Sequence, residues 1–387
     1  MEFRIATATD FDSVKRLWAY AFNGDEPFAS WYFSRFYNPD NALGCWRDGQ
    51  LLAVLHMHPY QLYLRGSVID ASYIVGVATD PVARRSGLTG PLLAEALAEM
   101  RRRGRPVSIL MPFKAGFYYP YDWRLCYHHL KYNLQLEDLR PVAKPAGDLR
   151  PAGLADIAAF EAVYQRFVTG RHGYVVRAAG DWRHLLGEHE NDGGYCYLAE
   201  FDGLPAGYIL YLLRDGKITV REMAYANTTA QQALLDFIYN HRSHAQSVEW
   251  DAPFDPADKV LFTLFEAKQD IRVFPFMTAR LADIEQALRQ IHYPDGLWEV
   301  DLALSDELAA WNNRAISLQV REGRAQVTAL QRQAAATMTV GAFTQLVFGR
   351  LTAEELCNQG ELAGSDAAVG VLARLFPRCD NYINEYF

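Results

Sequence analysis

Thr79-Asp80-Pro81-Val82-Ala83-Arg84-Arg85-Ser86-Gly87-Leu88-Thr89-Gly90 is the stretch whose reading decides the fold. It joins a β-like segment, 70–79, to an amphipathic segment, 88–103. In the first, Ala71, Tyr73, Val75, Val77 and Thr79 alternate on one face and Ile74 and Gly76 on the other, as in a central strand buried on both sides. In the second, Leu88, Leu92, Leu93, Ala96, Leu97 and Met100 recur at helical spacing. Gly87 leaves room where a side chain would obstruct an anion, and Arg84 and Arg85 can donate paired hydrogen bonds to phosphate oxygens. Backbone amides and two arginines offered at a helix start suit a pyrophosphate. A plain strand-to-helix turn with surface arginines has the same letters. Neither GxGxxG nor GxxxxGK[ST] occurs here. One strand further on, Gly116-Phe117-Tyr118-Tyr119-Pro120-Tyr121 places phenols where one can supply a proton.

Working outward, 47–55 and 201–209 each read as strand, Asp-Gly turn, strand. Each is followed by a further strand and a helix, at 70–79 and 88–103 in one copy and at 217–226 and 230–241 in the other. The second copy has Tyr225-Ala226-Asn227-Thr228-Thr229 where the first has its glycine turn, so a duplicated fold is expected with one phosphate cradle. A proline-bearing connector, 139–151, separates the copies. A smaller α+β unit starts near Phe276, with a helix at 283–291, strands near 297–302 and 315–320, and helices at 340–348 and 367–375. The expected units are 1–138, 139–275 and 276–387, each of α+β class with a mixed twisted sheet flanked by helices in the first two.

The 387 residues are half apolar, enough for several packed cores. Five scattered cysteines without CxxC spacing argue against a disulfide framework or a structural zinc site and suit a reducing cytoplasm. The formal charge of −8 disfavours nucleic acid and anionic membranes as partners and favours cationic substrates. Apolar runs are short, and Met1-Glu2-Phe3-Arg4-Ile5 lacks the layout of a signal peptide. His56 and His58 share a strand face without a carboxylate or cysteine at ligand spacing, and no metal is expected.

Arg84-Arg85-Ser86-Gly87-Leu88-Thr89 resembles the acyl-CoA pyrophosphate loop of GNAT N-acetyltransferases, R/Q-x-x-G-x-G/A; Thr89 departs from the final small residue and Gly90 follows it. Nearly the whole chain resembles the Eis (enhanced intracellular survival) group, which joins an active GNAT domain, a degenerate second one and a sterol-carrier-protein-like domain. Here 276–283 and 304–313 look like the opening of that third domain. The resemblance implies acetyl-CoA as co-substrate, held by Val77, Ala78 and Thr79 and by Arg84, Arg85, Ser86, Gly87, Leu88, Thr89 and Gly90. It implies Tyr118 as general acid and the terminal carboxylate, here on Phe387, as general base. The group's serine before the aromatic turn falls on Phe113, and its later arginine on Pro120. Hexameric assembly and aminoglycoside acceptors are further implications.

Asp25 and Glu26 precede the aromatic run 28–37; they either line an acidic acceptor pocket with Trp31 and Glu385 or cap the helix containing Trp31. Transfer of acetyl to a polyamine-like or aminoglycoside amine is the leading expectation. A protein lysine as acceptor, or a lipid carrier role for the third unit, are the alternatives.

Overall fold

The computed structural model describes residues 1–24, 26–255, 259–264 and 269–386. The expected roles of Asp25 and Phe387 therefore fall outside the described residues.

The first copy runs β1 (Glu2–Ile5), α1 (Phe11–Ala21), α2 (Phe28–Arg35), β2 (Ala42–Arg47), β3 (Gln50–Leu64), β4 (Ser67–Thr79), α3 (Thr89–Arg102), β5 (Val107–Leu110), α4 (Ala115–Tyr118) and β6 (Arg124–Gln135). The second repeats it as β7 (Asp148–Pro151), α5 (Ile157–Val168), α6 (Ala179–Asn191), β8 (Tyr195–Phe201), β9 (Leu204–Arg214), β10 (Lys217–Tyr225), α7 (Thr228–Tyr239), β11 (Ser247–Pro253) and β12 (Asp270–Leu281). The Asp48-Gly49 and Asp202-Gly203 turns both carry two successive positive φ angles, 51° and 78° in one and 52° and 75° in the other. That is the twist a two-residue hairpin needs, and Asp-Gly tolerates it.

All twelve strands form one sheet, ordered β1-β2-β3-β4-β5-β12-β6-β11-β10-β9-β8-β7. The two halves exchange their last strands. β12 lies between β5 and β6, while β6 turns its other edge to β11. The third unit was expected to open at Phe276, yet Phe276 lies inside β12, a strand of the large sheet. No local signal marks this, because pairing across a long chain separation is a tertiary choice.

On the first half, α1 and α2 cover one face through Val14, Leu17, Trp18, Tyr32 and Phe33. α3 covers the other through Leu92, Leu93, Ala96, Leu97 and Met100. α5 and α6, and then α7, repeat this on the second half. A separate five-stranded sheet holds Leu297–Ser305, Arg314–Arg321, Arg324–Ala329, Ala336–Thr339 and Leu362–Gly364, with helices Ile284–Gln290, Val340–Val347 and Asp366–Leu375 against it. One apolar cluster runs from Tyr73, Val107 and Ile109 of the large sheet to Leu302, Phe343 and Leu372 of the third unit. Excising 276–387 would cut both β12 and that core. Among the described residues no helix is long and apolar enough to cross a membrane.

Candidate active site

β4 pairs with β5 in parallel over only four positions, Ala71 with Val107 through Ile74 with Leu110. Beyond Ile74 the two strands part. At the same level β4 carries a bulge against β3, since Val54 faces Ala78 but His56 faces Val75. One extra residue flips the side-chain alternation. Val77 therefore packs in the cluster that holds Ile74, while Tyr73 and Val75 sit in another. The strict alternation expected from sequence, with Val75 and Val77 on one face, ends at this bulge.

Gly76 makes the bulge possible. Its φ is +59°, and a Cβ there would lie 2.1 Å from the Trp18 ring. The notch left between the strands is lined by Tyr73, Ile74, Val75 and Gly76 on one side and by Met111, Pro112 and Phe113 on the other. Trp18, Phe22 and Phe28 close its back.

The loop after β4 leads from this notch to α3. Asp80 accepts from the Val82 amide at 3.0 Å and starts a short turn, and Ala83 is buried. Arg85 and Gly87 then take left-handed φ angles of 62° and 76°. Among the described residues the amides of Gly87, Leu88, Thr89 and Gly90 meet no backbone acceptor, as expected ahead of the first helical turn. Arg84 and Arg85 are exposed, and the Arg84 guanidinium lies 5.3 Å from the Tyr20 ring centre. Leu88 is buried beneath them in the cluster that also holds Val77 and Tyr118, with Ala78 buried in the neighbouring one. The geometry thus gathers Val77, Ala78, Thr79 and the 84–90 loop at one end of β4 and the start of α3.

Tyr118 ends α4 and is 4% exposed. Phe117 and Phe113 pack around it, with ring centres 5.0 and 6.1 Å away. Burial pushes its phenol up to about 12. It therefore stays protonated at neutral pH.

The chain's last described residues cross the seam between the two halves. Tyr73 of β4 donates to the Glu385 carbonyl at 3.2 Å. The Glu385 carboxylate accepts from Arg177 at 2.9 Å, and burial raises its pKa. Tyr386 donates to Asp251. The tail thus meets the notch strand three residues before Gly76.

A second cleft opens beside the notch and shares Phe28 with it. Phe28, Trp31 and Phe36, from α2 and the residue after it, form one wall. Asp181, His184, Leu185 and Glu188, spaced three, four and seven apart on α6, form the other. Tyr60, Arg221, Glu385 and Tyr386 complete it. Arg221 pairs with Glu188 at 2.7 Å and Arg177 with Glu385 at 2.9 Å, and the Asp181 carboxylate accepts from the Ala178 amide at 2.7 Å. The lining itself holds three carboxylates against one guanidinium, that of Arg221. Burial raises the Glu188 pKa against its pairing with Arg221.

Trp31 and Glu385 are thus in the cleft. Glu26 is not: its carboxylate accepts from the Ser30 hydroxyl at 2.9 Å and the Ser30 amide at 3.2 Å, so it caps the start of α2. Sequence reasoning missed Asp181, His184 and Glu188. Their single-face spacing on α6 is a legible signal, but nothing in the sequence says that this face meets α2. His56 and His58 are buried structural groups bonded to the Tyr32 hydroxyl, at 3.1 Å for His58.

A GNAT acetyltransferase domain model matches residues 2–126, a second GNAT model matches 173–281, and a sterol carrier protein model matches 284–384. An uncharacterized N-acetyltransferase of Streptomyces avermitilis is 24% identical over 70% of this chain and 71% of its own. A GCN5-related N-acetyltransferase from Anabaena variabilis superposes with a TM-score of 0.87 at 22% identity over both full lengths. Eis1 from Mycobacterium abscessus does so with a TM-score of 0.79 at 19% identity, again over both full lengths. At such identities the two structures show the fold; the matched domains say what kind of enzyme carries it. The chain carries two GNAT acetyltransferase domains followed by a sterol carrier protein domain, the make-up of an acyltransferase.

Proposed function

We propose that this chain transfers acetyl from acetyl-CoA to an amine of a cationic small molecule, of aminoglycoside or polyamine type, and that it belongs with the Eis group. The observation that carries the reading is the notch where β4 leaves β5 at Ile74, with an amide-rich bend at one end and a buried, protonated phenol packed against it. The three-unit order and the likeness to Eis1 support the placement.

In this reading Arg84, Arg85 and the amides of 87–90 hold the pyrophosphate, and the main chain of Val77, Ala78 and Thr79 holds the pantetheine arm. The bulge turns backbone N–H groups of β4 toward the thioester carbonyl, where negative charge develops. The acceptor amine forms a C–N bond with that carbonyl carbon as the C–S bond breaks. Tyr118 gives its proton to the departing sulfur. In water a phenol near 10 and a thiol near 8.5 differ by about 1.5 units, roughly 2 kcal/mol uphill. A dry site raises both values, because both ionise to anions, so the gap stays near that size. The amine's proton leaves toward the Phe387 carboxylate, directly or through water. A carboxylate is a weak base for an ammonium, so this role includes positioning the amine. The carboxylates of Asp181, Glu188 and Glu385 favour a cationic acceptor.

The test is thiol release from acetyl-CoA with spermidine-type and kanamycin-type acceptors. Turnover is expected, and Tyr118→Phe should lower kcat about 100-fold or more with the fold intact. No turnover across a broad amine panel overturns the reading. Acetylated lysines on added proteins, without small-molecule turnover, shift the acceptor class to protein. The resemblance also proposes a hexamer, which native mass measurement checks.

A further inference from the structure

The second half repeats the notch. β10 pairs with β11 in parallel over four positions, Lys217 with Ser247 through Val220 with Trp250, and then the strands part. β10 also carries a bulge there, between Val220 and Glu222. Counting from the last paired position, Val220 matches Ile74, and Glu222 stands where the first half has Gly76.

The two notches differ in what fills them. In the second, the Asn384 side chain donates to the Arg221 carbonyl at 3.1 Å and to the Glu222 carboxylate at 2.9 Å, at the bulge itself. Tyr386 bonds Asp251, just past the last paired position of β11. His129, on the neighbouring β6, donates to the Ile383 carbonyl at 2.7 Å. Arg177 grips Glu222 with two bonds of 2.7 Å and Glu385 with one of 2.9 Å. Arg177 and Glu222 are each 1% exposed in their side chains. Tyr208 adds a further bond to Glu222, and the Arg177 guanidinium lies 4.4 Å from the Tyr164 ring centre.

A bidentate ion pair buried this completely needs full partners, and the ones it has include the tail. We propose that the β10–β11 notch, the counterpart of the acyl-donor notch, is a socket for residues 383–386, and that Glu222 and Arg177 are positioning residues that set the tail against Tyr73. This explains why the second copy lacks a phosphate loop: its notch holds peptide. The positioning role rests on the acetyl-transfer reading above; the socket does not.

The experiment compares Glu222→Gln and Asn384→Ala in the full chain. Asn384→Ala keeps the Arg177–Glu222 pair and so protects the fold. Two readouts are taken: acetyl-transfer kinetics, and amide hydrogen exchange of the 380–386 segment. Asn384→Ala should exchange faster in that segment alone, and Glu222→Gln should do so there and around Arg177, whose charge it leaves without its bidentate partner. Their kcat should fall on the order of 100-fold, since small misplacements of a reacting group cost that much. The KM for acetyl-CoA should stay within about twofold, because the donor notch is untouched. Unchanged tail exchange in both variants overturns the socket. Faster tail exchange with unchanged kcat overturns the positioning role. If the unsubstituted chain shows no turnover, the acetyl-transfer reading and the positioning role fall with it, while the exchange result still decides the socket.

Discussion

Replacing Gly76 by alanine tests the bulge on which the donor notch depends. The added Cβ would stand 2.1 Å from one Trp18 ring carbon and 2.9 Å from two others. Trp18 cannot easily retreat, because its ring stacks on Tyr32 at 4.8 Å and packs against Phe22 at 4.7 Å. The left-handed φ costs an alanine about 1–2 kcal/mol. Overpacking a filled site costs about 1–3 kcal/mol more. The sum is roughly 2–5 kcal/mol, to be read as a drop in urea midpoint with unchanged slope. Gly87→Ala is the contrast. It shares a positive φ of 76°, yet its Cβ meets nothing within 4 Å. It should cost only about 1–2 kcal/mol in stability, while reshaping the amide loop and raising the KM for acetyl-CoA. A Gly76→Ala chain as stable as the parent would refute the claim that the bulge and Trp18 lock one another.

The remaining predictions concern charge. Asp181→Asn should raise the KM for a cationic acceptor about three- to tenfold, with the effect shrinking in salt; Glu188→Gln should do more, because it also leaves Arg221 unpaired in the cleft. An acceptor KM indifferent to both would remove α6 from the site. His56 and His172 are held neutral by burial, near 3 and 4. Their folded values lie below the unfolded value of about 6.5, so the unfolded chain binds protons first, and stability falls as pH drops from about 6.5 toward 4. The slope should approach about 1.4 kcal/mol per pH unit for each histidine, and denaturant titrations across that window check it. Arg280 is fully buried and pairs with Asp306 at 2.6 Å, joining β12 to the third unit. Arg280→Met should cost about 3–5 kcal/mol, because the buried Asp306 carboxylate would keep only its existing bonds from the Leu308 and Ala309 amides and the Asn312 side chain, and equilibrium unfolding measures it.

Much of this architecture was legible because it is local. The Asp-Gly turns gave two hairpins, and helical spacing from Leu88 to Met100 gave α3. The two strands and three helices expected in the third unit lie within a few residues of where periodicity put them, while the strands Arg324–Ala329, Ala336–Thr339 and Leu362–Gly364 and the helix Ala353–Asn358, all short, were not expected. What could not be read depends on contacts far apart in the chain. The exchange of β6 and β12 sets residues 124–135 beside residues 247–253, and 270–281 beside 107–110, with no mark in either segment. The break in alternation at Gly76 is a bulge, and a lone glycine in a strand only hints at one. Glu26 had two readings from sequence, and the Ser30 bonds favour the cap. The acidic face of α6 was present in the letters, but its relevance depends on α6 facing α2 across the seam, where Phe36 and His184 meet at 4.7 Å.

Calorimetric titration of the purified chain with CoA tests the central claim, that the Gly87 bend and the β4–β5 notch hold a nucleotide-linked acyl donor. Saturable binding of one CoA per chain is expected, weakened on the order of tenfold by Arg84→Ala and by Arg85→Ala, since each loses charge-assisted bonds to phosphate worth roughly 1.5–3 kcal/mol before solvent exposure is counted. The absence of binding, or binding indifferent to both substitutions, would contradict the account.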